Sequence, residues 1–256
     1  EPTGWLYDDK LRMGGIKLYL DGALGSRGAV LKAPYHDDPG AKGLPLLTPA
    51  QLRNLMSRAA MDNFQTAVHA IGDGANAEVL AAIEELSESY KGDRRWRIEH
   101  AQIIDPVDIA RLGKHGIIAS MQPVHPPGSS GLPLEPTVSI MGANRWSDAF
   151  AWRCILRSGA VIAFGTDWPI SPLSPFNALH SALARQPWEQ GGSWSRSSQH
   201  SQFEPGLVAH LRHVPRRIPD QIDLGIAHAG HRADPQFDLG RHRFGDRAMR
   251  RGQRHR

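Results

Sequence analysis

Several short apolar runs of this 256-residue chain end on side chains that bind metals or move protons. Lys17 sits in one, with Asp21 just beyond it; His69 closes a second, Glu99-His100 a third, and Asp167 follows Thr166 after the last. A strand seldom finishes on Glu-His unless something engages both groups. A divalent cation at work in an enzyme needs nitrogen and oxygen ligands converging from different elements, with one position left for water. Two imidazoles and a carboxylate at separate strand tips supply that set. No local ligand pair such as HExxH is present, so the fold must assemble the site. The single cysteine, Cys154, excludes a disulfide framework and a cysteine-based zinc site. Each group also has an ordinary structural use: a strand-end histidine hydrogen-bonds, Asp167 before Trp168-Pro169 makes an Asx-turn, and Lys17 snorkels from a strand edge. Their shared placement at successive strand ends is what favours the metal.

The elements that must position these groups alternate regularly up to about residue 185. Strands are expected at 16–20, 65–69, 96–100, 117–122 and 161–166. Helical patterns lie between them: 49–62 capped by Thr48, 75–90 with the stripe AEVLAAIEEL, 106–115 with Asp105 as N-cap and Pro106 at the first helical position, and 148–158. Strand, helix, strand at such spacings implies βαβ units and a parallel sheet. The segments after the strands, GALGSRGA, AIGDGA, AQIIDP, PVHPPGSSG and WPISPLSP, are rich in Gly, Pro and polar residues. Such loops follow the carboxyl ends of parallel strands, where barrel active sites form. One barrel domain of about 250 residues fits the chain length.

The motifs GGIKLYLDGALGSRGAVLKAPYHDDPG, AVHAIGDGAN, WRIEHAQIID, ASMQPVHP and AFGTDWPISPLSPF, in that order, resemble the amidohydrolase superfamily, and its family 3 branch with the N-substituted formamide deformylases in particular. The resemblance covers roughly residues 14–185. It implies a (β/α)8 barrel with a small β-sandwich, and hydrolysis of an amide-type, non-peptide carbon–nitrogen bond. His69 and His100 then match metal-binding histidines, and Asp167 an aspartate that both binds metal and takes a proton from the bound water. Lys17 matches a lysine that is carboxylated in many members and bridges two ions. Asp21, Arg27, Glu99 and His125 fall beside the ligands or against the substrate, with Glu99 placed to orient an imidazole; for His125 an ordinary loop role stays open. One or two divalent ions are implied; zinc is expected, and the same ligands suit iron or manganese. A phosphotriesterase-like hydrolase would use the same ligands on a P–O bond.

The family's His-x-His motif is absent, and nothing before Ile16 resembles the first three barrel strands. The expectation is therefore a partial barrel, strands four to eight, over residues 1–185, with an irregular tail over 186–256 that is disordered or read out of frame. An alternative follows, that of a catalytically incomplete fragment. Exposed strand edges and apolar faces would favour a homo-oligomer or a missing N-terminal segment. Residues 209–256 carry an excess charge of +6 against +4 for the whole chain, leaving −2 on residues 1–208. An arginine-rich tail suits nucleic acid, but this one has no helical charge stripe, and a small-molecule substrate is expected instead. No apolar run approaches the roughly 20 residues of a membrane span, and the cytoplasm is the expected compartment.

Overall fold

In the computed structural model of the protein, residues 1–127 and 135–184 are described. Five parallel strands form one sheet in sequential order: β1 (Gly15–Tyr19), β2 (Gln65–Ala70), β3 (Arg97–His100), β4 (Ile118–Met121) and β5 (Val161–Phe164). Each strand pairs with the next after an intervening helical segment, the order a (β/α) barrel follows. The proposed tail, residues 186–256, lies outside the described residues.

Local chemistry explains where the helices begin. α1 (Pro49–Met61) starts at a complete capping box: the Thr48 hydroxyl accepts the Gln51 N–H, and the Gln51 side chain returns to the Thr48 N–H. α3 (Pro106–Lys114) starts where the Asp105 carboxylate accepts the Val107 N–H at 3.1 Å, with Pro106 in the first turn. Between them, α2 (Asp73–Ser89) buries Ala75, Val79, Leu80, Ala82, Ile83 and Leu86, the stripe expected of a helix lying on a sheet. α1 packs against α2, α2 against α3, and α3 against α5 (Trp152–Arg157). Their inner faces meet Val68, Ile98, Ile117, Ala119 and Met121 in one continuous core.

The helix expected over 148–158 forms only at Trp152–Arg157. Ala149 bridges Ile103, and the Phe150 N–H donates to the Gln102 carbonyl at 2.6 Å with a left-handed φ of 52°. The chain is thus held in a loop until Ala151. Two further helices follow strands: a short α4 (Thr137–Met141) after β4 and α6 (Pro175–Ala184) after β5. Among the described residues no helix is long and apolar enough to cross a membrane.

Candidate metal centre

Strand register sets the first layer of the site. Tyr19 pairs with His69, and His69 with Glu99. Side chains at paired positions of a parallel sheet project from the same face, and alternate residues repeat it, so Lys17, Tyr19, His69, Arg97 and Glu99 share one face. Strict alternation would send His100 to the other. Its φ of 75°, followed by 44° at Ala101, breaks the alternation. The His100 ring therefore meets His69 edge-on, with centroids 4.5 Å apart. Left-handed backbone at a non-glycine residue costs of order 1–3 kcal/mol and gathers at functional sites. Asp167, beyond β5, has a φ of 56°.

Three groups converge at the carboxyl ends of β3, β4 and β5: His100 closes β3, and His125 and Asp167 follow β4 and β5. One ligand atom from each of His100, His125 and Asp167 lies within 4.8 Å of the others. The His100 and His125 rings are nearly parallel, 14° apart in plane with centroids 6.1 Å apart. His100 Nδ1 is 2.8 Å from Gln122 Oε1. An Nδ1–H donated to that oxygen leaves Nε2 with its lone pair free, the arrangement usual for a ligating histidine. Gln122, two positions beyond Ser120, which is paired to Glu99, reaches the site from β4's end. Its place directly after a strand, in the run MQPVH, was the one signal in the sequence that pointed to it.

Buried polar atoms of this cluster lack ordinary partners. His125 Nε2 and both ring nitrogens of His69 are inaccessible and make no hydrogen bond among the described residues; His69 Nε2 stands 3.5 Å from Asp21 Oδ1. Buried polar atoms are satisfied in the great majority of proteins, and an orphan group asks for an ion or water. Burial drives the His69 imidazole down to about 4, helped by the charges of His100 and Lys17 and opposed by a backbone contact at Gly22. Burial, with His100 nearby, takes His125 down to about 4 as well. His100 is also lowered, chiefly by burial, against the pull of Gln122 and Asp167. Neutral imidazoles are the form that binds metal. The donor set therefore fits a divalent cation.

The remaining expected residues are placed around this cluster in different ways. Lys17 Nζ lies 4.9 Å from the Tyr19 ring centroid, close enough for its charge to act on His69 and His100. Asp21 is buried, and its carboxylate accepts the N–H groups of Val30, Ile71 and Gly72 at 2.9, 3.0 and 2.9 Å. Desolvation raises it to about 6 in spite of those three bonds. Glu99 is bound by Arg97, with Nη2 at 2.6 Å from Oε1, and the hydrogen bond to His100 comes from Gln122 instead. Arg27 is engaged by Asp37 on the surface, apart from the cluster. A cavity of about 310 Å³ lined by Tyr90, Arg94, Trp96 and Lys114 lies among the loops that precede β3 and β4, at the opposite end of the strands, and shares no residue with the cluster.

The family profile described as the amidohydrolase family matches residues 4–234. The chain is 32% identical over 232 residues to the protein LONG AFTER FAR-RED 3 of Arabidopsis thaliana, covering 90% of this chain and 38% of that one. It is 37% identical over 176 residues to the putative amidohydrolase YtcJ of Bacillus subtilis, covering 69% of this chain and 32% of the relative. The chain thus spans about a third of the length of these curated relatives. Among solved structures, an uncharacterized metal-dependent hydrolase from Pyrococcus horikoshii OT3 superposes with a TM-score of 0.66 at 26% identity, over 75% of this chain and 37% of the other. One from Pyrococcus furiosus gives 0.62 at 28% identity, over 78% and 41%.

Proposed function

This chain belongs to the amidohydrolase family, in its family 3 branch, and on that premise we propose that it acts as a metal-dependent hydrolase on a carbon–nitrogen bond of a non-peptide amide, such as a formamide or a cyclic amide. One observation carries the reading: two imidazoles and a carboxylate converge at the carboxyl ends of three neighbouring strands, and buried histidine nitrogens there have no hydrogen-bond partner among the described residues.

His69, His100 and Asp167 would hold the ion, with Lys17 joining them if its amine is carboxylated. Zinc suits this nitrogen-and-oxygen set, as do iron and manganese, and zinc is the first ion to test. A bound divalent cation supplies polarisation of the scissile carbonyl and a water acidified toward a pKa of about 7. The Asp167 carboxylate accepts the proton of the attacking water and returns it to the leaving nitrogen, which is general acid–base work. Gln122 holds the His100 ring by Nδ1, which would leave Nε2 for the ion. Arg97 neutralises Glu99 within the buried face, which limits the negative charge beside the ion.

The test is purification without chelator, measurement of bound metal, and assay of a panel of formamides, cyclic amides, peptides and phosphotriesters. Hydrolysis of the non-peptide amides, lost on chelation and restored by zinc, is the expected result. Turnover that survives exhaustive chelation, or activity confined to phosphotriesters, would overturn the proposal.

A further inference from the structure

We propose that His125 is itself a metal ligand, so that His100, His125 and Asp167 form a three-point cation site contributed by β3, β4 and β5. This rests on the reading that the strand-end cluster binds a divalent metal, and it adds His125 to the side chains that close on the ion.

The geometry sets His125 apart from a substrate-binding histidine. A group that greets a diffusing substrate needs an open polar atom, yet His125 is 6% exposed and its Nε2 is inaccessible. Among the described residues nothing hydrogen-bonds that nitrogen, and an unbonded buried polar atom costs about 1–3 kcal/mol. A small cation among the three groups removes that cost without opening the site to bulk solvent. The turn that carries His125 is anchored, since its N–H donates to the Gln122 carbonyl at 3.1 Å. Gln122 thus braces both imidazoles: its side chain bonds His100, and its backbone holds the turn of His125.

The donor types are complementary as well. Two neutral imidazoles and one carboxylate are the minimum protein set of a catalytic zinc or iron site, with positions left for water and substrate. Bonds of about 2.1 Å put ligand atoms of a tetrahedral ion roughly 3.4 Å apart. The ligand atoms of His100, His125 and Asp167, all within 4.8 Å of one another, lie near that spacing. His69, beside His100 and 3.5 Å from Asp21, lies outside this trio.

The test uses the full chain stripped of metal and titrated with Zn2+ and Co2+. His125→Ala should weaken Zn2+ binding as much as His100→Ala does, by more than the roughly 10–100-fold that loss of an outer hydrogen-bond partner causes. A second variant reads contact directly. In His125→Cys at saturating Co2+, a thiolate-to-cobalt charge-transfer band should appear in the near ultraviolet. The parent, whose single Cys154 is exposed on α5, sets the baseline. Absence of the band at saturation, or parent-like Zn2+ affinity in His125→Ala while His100→Ala and Asp167→Ala lose it, overturns the role of His125 and leaves the cluster as a metal site. Parent-like affinity in His100→Ala and Asp167→Ala overturns both.

Discussion

The Gln122 side-chain oxygen stands 2.8 Å from Nδ1 of His100, tying the end of β4 to the end of β3. An Nδ1–H donated across that bond leaves the other ring nitrogen of His100 with a free lone pair. Gln122→Ala should leave the fold intact and lower Zn2+ affinity about 10–100-fold, the usual effect of losing a partner behind a ligating histidine. Competition with a chromogenic chelator measures this directly, and unchanged affinity would show that the bond plays no part in binding.

Asp21 binds three backbone N–H groups from two segments, Val30 on one side and Ile71 and Gly72 on the other. Asp21→Ala strands all three. We expect a stability loss of about 3 kcal/mol or more, at about 1–3 kcal/mol for each buried group left unsatisfied. Asp21→Asn should lose less, because a carbonyl oxygen at the Oδ2 position still accepts from Val30 and Gly72. Urea unfolding of the two variants decides it; equal losses would count against the clamp.

Acid should destabilise the metal-free protein. His69 and His125 are held near 4 in the folded chain against an ordinary 6.5. Below 6.5 the unfolded chain takes up protons that the folded chain refuses, so their stability is fully present above 6.5 and falls as pH drops toward 4. Asp21 acts oppositely: raised from 3.8 to about 6, it stabilises fully below 3.8, and that contribution is lost as pH rises through 6. Two histidines outweigh one carboxyl, for a net loss on the order of a few kcal/mol between pH 6.5 and 4. Unfolding midpoints measured across that range should fall, and more steeply in Asp21→Asn. A flat profile would contradict the burial of these rings.

The sheet edges should drive self-association. Among the described residues β1 pairs only with β2 and β5 only with β4, and Tyr19 and Val161 are 54% and 53% exposed. Unpaired edges with apolar side chains template pairing with another chain. Light scattering on the purified chain should find oligomers or aggregates. A monomer with a cooperative melt would set this aside.

Much of this architecture is legible from local chemistry. Thr48 with Gln51 and Asp105 with Pro106 announce α1 and α3 because a cap satisfies its own helix end and needs no distant partner. The alternation of short apolar runs with amphipathic segments implies the parallel sheet for a similar reason. The helix over 148–158 is shortened because Phe150 answers to Gln102, a contact of long sequence separation. α6 had no cap or stripe distinct enough to mark it.

The sequence by itself determined the order of strands, the family motifs and the residue types that could bind a metal, since these rest on periodicity and on neighbours along the chain. Only the tertiary structure decided how those residues meet. The left-handed turn at His100 swings its ring toward His69, Gln122 displaces Glu99 as its partner, and His125 becomes the third member of the strand-end cluster. Each of these depends on register and burial between strands roughly 20–100 residues apart, and a pattern of side-chain types carries neither.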